Sequence, residues 1–542
     1  MRTFSSYGPI ETNRNFYAPR EKLINKTMDQ IIGDPKQGGH YITIWAPRQT
    51  GKSTLMDFIV QEIMKRGDFE VGMISLQSAK NDKTDTDVFK TLVNYLSITF
   101  QKEFAAIQEW KDLFRLFSTS YFDKPLILII DEFDALDEEF INKFANEFRN
   151  IFLLRKSQRV DSSEKFCMLH GLALIGVKSV LGIENVKGSP FNIQRSIHVP
   201  NLTYDEVKNI YCWYKKETKQ FIEPDVIDRI YYEFRGQPGL TCWFGELLTE
   251  EYNDDNSQPI MEKQFDYVYS EAIKVLPNNN ILNIISKAKQ QPYRNFVLKL
   301  FQTNEKIDFQ YDNNLVNYLY MNGVIDIEKE GLDKYVRFSS PFVQKRLFSY
   351  FSDILFDEPG QLVPPFTKID HVITANSLHI KNLMRLYESY LHKNKKWMLK
   401  DAPRRKDLRI FEAVYHFNLY MYLYRFLKPK KGQVWPEFPT GNGKIDLLIK
   451  YASQLYGIEL KSYTDENAYY DAIEKAASYA VKLRIPKISL VFFVDIIDDS
   501  IRKKYEIEYS DPDTDIKVEI VFIACNEDES KELIKEMTTN GI

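Results

Sequence analysis

Two sets of residues in this 542-residue chain have types and spacings that could do chemistry. The first is A-x-x-x-x-G-K-S, Ala46 to Ser53, followed further along by the adjacent acids Asp131 and Glu132. A lysine and a hydroxyl behind a glycine suit phosphate and Mg²⁺, with the acids completing the site. The second is Asp446, then Glu459 and Lys461, inside "GNGKIDLLIKYASQLYGIELKSY", residues 441–463. Charges inside such apolar runs are costly unless they are paired or bind a metal. Two close carboxylates repel unless a cation sits between them, and a neighbouring lysine can orient or deprotonate a water for attack on a phosphodiester.

The elements that must hold the first set are legible. "YITIWAPRQTGKSTLMDFIVQEIMKRG", 41–67, runs from a β-rich apolar segment through a polar loop into an amphipathic helical pattern. This is the context a phosphate-binding loop needs, with backbone N–H groups around the phosphates and a helix pointing its positive end at them. Ala46, Pro47, Arg48, Gln49, Thr50, Gly51, Lys52, Ser53 and Thr54 make up the expected nucleotide site; Lys52 would reach the β/γ-phosphates and Ser53 would bind Mg²⁺. Ala46 stands where a first glycine is usual. "KPLILIIDEFDAL" predicts a buried strand from Leu126 to Ile130 that delivers Asp131 to the Mg²⁺ shell and Glu132 to the attacking water. Apolar runs "VGMISLQ" from 71, "GLALIGVKS" from 171 and "SIHVPNL" from 196 suit the same sheet. The fold class is therefore α/β, a parallel-sheet sandwich with its site at the C-terminal ends of the strands.

On "PRQTGKSTL", "IDEFDAL", "LALIGVKSV", "SPFNI" and "FRGQPGL" the sequence resembles the AAA+/STAND-type P-loop ATPases. The resemblance implies ATP with Mg²⁺ as cofactors and a homo-oligomer as the working form. It places a sensor region at Gly176 to Ser179, where Lys178 or Ser179 must serve because no Asn is present. By the same resemblance, Pro238 belongs to a Gly-x-Pro lid motif in "RGQPGL". Tyr17 to Glu21 in "FYAPRE" lie where adenine is contacted. Arg195, Arg155 and Arg159 are candidates for a charge acting across a subunit interface.

The remaining organisation follows from punctuation. Residues 1–200 form the ATPase core, and Thr203 with Glu206 reads as a capping box opening a helical lid over 201–276. Over 277–355, two helices, a glycine break and two short strands around "EKEGLDK" suggest a winged helix, either a DNA contact or a spacer. "FDEPGQLVPPF" marks a linker, 356–374, before a last domain at 375–542.

In that last domain, a two-residue loop at Ala452 and Ser453 would place Asp446 opposite Glu459 with Lys461 on the same face. Ala-Ser is not a favoured hairpin turn, so a longer loop or a bulge stays open. Asp, then Glu-x-Lys on the next strand, resembles the PD-(D/E)xK nucleases over about 400–525. That resemblance implies an α/β restriction-endonuclease-like domain with Mg²⁺, or Mn²⁺, at Asp446 and Glu459. It adds Glu412 as a first-helix acid and Glu437 before the Asp446 strand; Glu474 and Lys475 stand where many relatives carry Gln. The basic run "KNKKWMLKDAPRRKDLR", 393–409, is either a phosphate-neutralising stretch or a solvated face.

Composition limits the classes. The chain is too long for one core. Its four cysteines have no paired CxxC spacing, which predicts a reducing, cytoplasmic setting without a zinc framework. A net charge of −4 excludes an overall basic coat but not a local one, and no apolar stretch is long enough for a membrane partner. The expectation is an ATP-hydrolysing protein with a metal-dependent nuclease domain acting on nucleic acid, DNA first. The alternative is a STAND-type switch or scaffold whose nuclease-like domain only binds.

Overall fold

The computed structural model describes residues 2–8, 10–176, 194–302, 306–404, 412–439, 444–463, 465–512 and 514–526. The chain divides into two compact units: Met1–Lys287 with Ile307–Ser340, and Ala288–Lys306 with Pro341–Ile542.

The first unit is built on strands β1 (Tyr41–Trp45), β2 (Glu70–Ser75), β3 (Leu126–Asp131), β4 (Leu169–Gly176) and β5 (Gln194–His198). They form a five-stranded sheet in the order β2-β3-β4-β1-β5, parallel throughout. Strands β1, β3 and β4 are buried along their whole length, as their unbroken apolar runs require. Side-chain alternation divides them between two cores. Ile42, Ile44, Ile127, Ile129 and Ile175 pack with the helices Glu21–Ile32 and Lys52–Arg66. Tyr41, Leu126, Leu128, Ile130 and Leu174 pack with Asp85–Phe100 and Glu138–Ser157. Sheet order leaves β4 between β1 and β3, so the loop after β1 and the acids ending β3 stand on either side of one strand end.

A helical layer follows. Thr203 and Glu206 form the reciprocal capping box at the head of helix Tyr204–Thr218, and helices Pro224–Phe234, Pro238–Glu246 and Glu262–Lys274 come after it. Residues 277–355 contribute to both units. Helix Asn314–Met321 and the antiparallel pair β6 (Ile325–Glu330) and β7 (Asp333–Phe338) fall in the first; helices Tyr293–Gln302 and Pro341–Leu355 fall in the second.

The second unit holds β8 (Gln433–Pro439), β9 (Lys444–Tyr451), β10 (Gln454–Ser462), β11 (Lys487–Val494), β12 (Glu508–Ser510) and β13 (Lys517–Ala524). They form a six-stranded mixed sheet in the order β12-β13-β11-β10-β9-β8. Strands β10, β11 and β13 are parallel, and helix Glu466–Leu483 makes the crossover from β10 to β11. Its Ala472, Ile473, Ala476 and Ala480 pack on Leu448, Leu490 and Phe492, the face that also carries Glu459 and Lys461. Among the described residues no helix is long and apolar enough to cross a membrane.

Candidate functional site

The loop after β1 turns through two left-handed residues, Gln49 (φ 56°) and Gly51 (φ 83°), before helix Lys52–Arg66 begins. Gly51 meets that conformation without the steric cost of a Cβ; Gln49 bears it. Thr50 Oγ1 donates to Pro47 O at 2.8 Å, closing the loop on itself. Lys52 Nζ donates to Ala46 O and Pro47 O, each at 2.9 Å. The ammonium thus rests on the loop's own carbonyls, where an incoming phosphate would compete for it. Burial lowers the Lys52 pKa, opposed by Asp131, then Asp134 and Glu132. Thr54 lies in the first turn of the helix and Arg48 is exposed.

Across the strand end, Ser53 Oγ donates to Asp131 Oδ2 at 2.7 Å. Asp131 Oδ1 accepts from the N–H of Glu132 at 2.8 Å, so both carboxylate oxygens are oriented. Glu132 has a left-handed backbone (φ 52°) and an exposed side chain. Partial burial, then the charges of Asp131 and Asp134, raise its pKa, against the pull of Lys52 and Arg48.

Pro238 opens helix Pro238–Glu246, and Gln237 just before it caps that helix by accepting from Leu240 N at 2.5 Å. Gln237 lies inside the motif "RGQPGL" but is not singled out by it. Its Nε2 donates to Arg48 O at 3.0 Å and to Gln49 O at 3.1 Å, and Gly239 N donates to Gln49 O at 3.0 Å. The available signal was a side-chain acceptor placed directly before Pro at the first helical position. Tyr17 packs between Phe58 and Trp213, at ring centroid distances of 5.7 and 5.5 Å.

Lys178, Ser179 and "SPFNI" lie outside the described residues. Of the three arginine candidates, Arg155 must be withdrawn. It is 3% exposed, and its guanidinium donates to Cys167 O, to Ser162 O and Oγ, and lies 3.3 Å from His170 Nδ1. An arginine used up inside its own core cannot reach a neighbouring subunit. Arg195 is exposed and donates to Gln30 Oε1 at 2.5 Å; Arg159 is exposed.

In the second unit the hairpin turns on Ala452 and Ser453, both at positive φ (48° and 65°), a type I′ geometry. Pairing runs from Tyr451↔Gln454 to Leu447↔Ile458. Beyond that point the Asp446 carboxylate takes over from the ladder, its Oδ2 accepting from Leu460 N at 2.7 Å. Lys461 Nζ lies 2.6 Å from Glu459 Oε1 and 3.8 Å from Asp446 Oδ2. The structure therefore brings Asp446, Glu459 and Lys461 together.

Glu459 is 2% exposed, and its Oε2 has no hydrogen-bond partner. Burial, reinforced by the Asp446 charge, pushes its pKa up to about 7, against the pull of Lys461 and Lys475. Burial also works against the Lys461 ammonium, yet Glu459 and Asp446 together hold its pKa above the usual lysine value. Glu412 begins helix Glu412–Leu427. Glu437 lies in β8 between the pairs Pro436↔Leu447 and Phe438↔Ile445, at the register position across from Asp446. Of the basic run 393–409, residues 405–409 lie outside the described residues.

Among the described residues, no group of three or more His, Cys, Asp or Glu side chains is placed to hold a metal ion. Mg²⁺ commonly takes only one or two protein carboxylates. Asp446 and Glu459 supply two, and the buried, unpartnered Oε2 of Glu459 is the kind of atom a cation would satisfy. The donor set fits a hard divalent ion.

The parallel sheet, the loop after β1 and the Ser53–Asp131 contact define a P-loop nucleotide-binding domain of the ATPase class. Residues 5–243 match the family model described as an AAA-like domain. No curated protein matches the chain in sequence. Among solved structures, a Walker-type ATPase of Pyrococcus abyssi is similar at 14% identity and a TM-score of 0.43, over 64% of this chain and 99% of that one. Cdc6p from Pyrobaculum aerophilum is similar at 13% identity and a TM-score of 0.36, over 64% and 97%. The Aeropyrum pernix ORC1 protein in complex with DNA is similar at 14% identity and a TM-score of 0.33, over 61% and 92%.

Proposed function

We propose that the protein is an ATP-controlled, metal-dependent nuclease acting on DNA, with the P-loop domain as its switch and the Asp446–Glu459–Lys461 cluster as its cutting site. The observation that carries the reading is the buried Glu459 carboxylate, one oxygen paired with Lys461 and the other without a partner, beside Asp446. Burying one acid beside a second acid and a lysine that are themselves partly buried costs stability that an inert hairpin has no reason to bear. Asp446 and Glu459 would hold Mg²⁺ or Mn²⁺, which when bound supplies positive charge to the phosphate and acidifies a water. Lys461 would orient the attacking water or a phosphate oxygen, and Glu437 and Glu412 are proposed to complete the acidic set. At the other site Lys52 and the loop backbone would bind the ATP phosphates, Ser53 and Asp131 would hold Mg²⁺, and Glu132 would accept the proton of the attacking water. AAA-type sites are often completed between subunits, so the working form is proposed to be a homo-oligomer.

One observation favours a second reading. Lys461 already sits on Glu459 Oε1 at 2.6 Å, an ion pair that must open before that oxygen can serve a metal. A STAND-type switch whose second unit only binds nucleic acid would keep the pair closed. The deciding experiment incubates plasmid, single-stranded DNA and RNA with Mg²⁺ or Mn²⁺, with and without ATP, beside Glu459→Ala and Lys52→Ala. Cutting by wild type that disappears in Glu459→Ala and responds to ATP only when Lys52 is present supports the nuclease. No cutting of any substrate supports the switch.

A further inference from the structure

We infer that Gln237 is a positioning residue for nucleotide binding, its side-chain amide holding the phosphate loop in shape from the helical layer. The inference rests on the nucleotide-binding reading of the loop 46–53. Gln49 adopts a left-handed backbone that a residue with a Cβ enters only at a cost, and such a conformation persists only where surrounding contacts over-determine it. Those contacts come from outside the loop. Gln237 Nε2 bridges the carbonyls of Arg48 and Gln49, and Gly239 N adds a second donor to Gln49 O. With the two carbonyls held on the helical side, the loop's N–H groups are left for phosphate.

The approach is close enough to need glycine at 239. A Cβ there would lie 2.6 Å from Gln49 Cβ and 2.7 Å from its Oε1. The coupling runs both ways. A phosphate that changes the loop moves the carbonyls that Gln237 grips, and helix Pro238–Glu246 begins at the next residue. Nucleotide state thereby reaches the helical layer through the Gln237 side chain and the Gly239 N–H.

Gln237 also caps its helix, so the test must separate capping from loop positioning. Gln237→Glu keeps an acceptor for Leu240 N but removes the donors; Gln237→Met removes both without adding charge. Both should weaken ATP and ADP binding by about tenfold, the loss of one to two hydrogen bonds, while Gln237→Glu, which keeps the cap, should lose less nucleotide-free stability than Gln237→Met. Gly239→Ala favours the helix by propensity, yet should weaken nucleotide binding by pressing on Gln49. Gly239→Ala combined with Gln49→Gly should recover affinity, because glycine removes the colliding side chain and accepts the left-handed backbone.

Fluorescent-nucleotide titration and nucleotide-free melting read these outcomes. Wild type that binds nucleotide while Gln237→Glu, Gln237→Met and Gly239→Ala bind equally well overturns this inference alone. Affinity losses that merely follow losses of nucleotide-free stability also overturn it, by assigning Gln237 to the helix cap. Wild type that binds no nucleotide overturns the nucleotide reading and this inference with it.

Discussion

Ser53 Oγ donates to Asp131 Oδ2 across 2.7 Å, joining the first turn of one helix to the end of β3 although the two residues are 78 positions apart. In the proposed reading the hydroxyl and the carboxylate would hold Mg²⁺ for the bound nucleotide. Ser53→Ala removes one neutral-to-charged hydrogen bond, so stability should fall by roughly 1–2 kcal/mol. The larger effect should be on Mg²⁺: ATP should bind the variant equally well with the metal or with a chelator. Titration of both proteins under both conditions measures this, and Mg²⁺ that still tightens ATP binding by the variant as it does for wild type would remove Ser53 from the metal site.

Glu459 and Lys461 form a buried pair, and a broken pair costs more than an absent one. Lys461→Met should destabilise the second unit by about 3 kcal/mol, and by more as pH rises, because without its counter-charge Glu459 must either carry a buried charge or take up a proton to fold. Glu459→Gln should cost less, because Asp446 Oδ2 remains 3.8 Å from the ammonium. The double variant should recover much of the loss. Urea midpoints close the cycle, and strictly additive penalties would show that the two side chains are not energetically coupled.

His170 offers a pH signature confined to the first unit. Its Nε2 lies 2.8 Å from Ile32 O and its Nδ1 lies 2.7 Å from Ser162 Oγ, with Arg155 also at hand. Burial lowers its pKa from 6.5 to about 4; Ile32 O and Asp34 oppose, while Arg155 and Lys165 assist. A depressed folded pKa contributes stability that is present above 6.5 and is lost as pH falls towards 4, up to about 3 kcal/mol. His170→Gln keeps a donor and an acceptor but does not titrate. Its stability difference from wild type should therefore shrink steadily from pH 7 to pH 4; a constant difference would mean that His170 does not lose its proton preference on folding.

The legible parts of the sequence were those where local spacing dictates geometry. Ala46 to Ser53 lay between an apolar strand and an amphipathic helix, and "LILIID" could only be a buried strand ending in an acid. The hairpin register followed from a two-residue turn, because side-chain period and pairing then leave no freedom. What escaped depends on contacts between distant segments. Nothing near Arg155 announces that Ser162 and Cys167 will enclose it, since an arginine in a helix reads as solvated until the strand it meets is known. Gln237 is legible as a helix cap but not as a loop contact, because its partners Arg48 and Gln49 lie 189 and 188 residues away. Residues 277–355 have the element order of one small domain, but element order does not say which core each helix joins.

The turn that sets the register of Asp446 and Glu459 is built from residues that dislike it. Ala452 and Ser453 both hold positive φ, where each Cβ crowds the backbone at a cost of roughly 1 kcal/mol per residue. Asn and Gly are the residues that a type I′ turn prefers. Ala452→Asn with Ser453→Gly should therefore stabilise the second unit by about 1 kcal/mol, less than the strain relieved because glycine also loosens the unfolded chain. The pairing Tyr451↔Gln454 should be unchanged, so any cleavage activity should persist at the wild-type level. A urea midpoint that rises with activity intact would mark the turn as a scaffold for the carboxylates. A fall in activity with rising stability would instead show that the strained turn sets their spacing, because the only atoms changed lie at the tip of the hairpin.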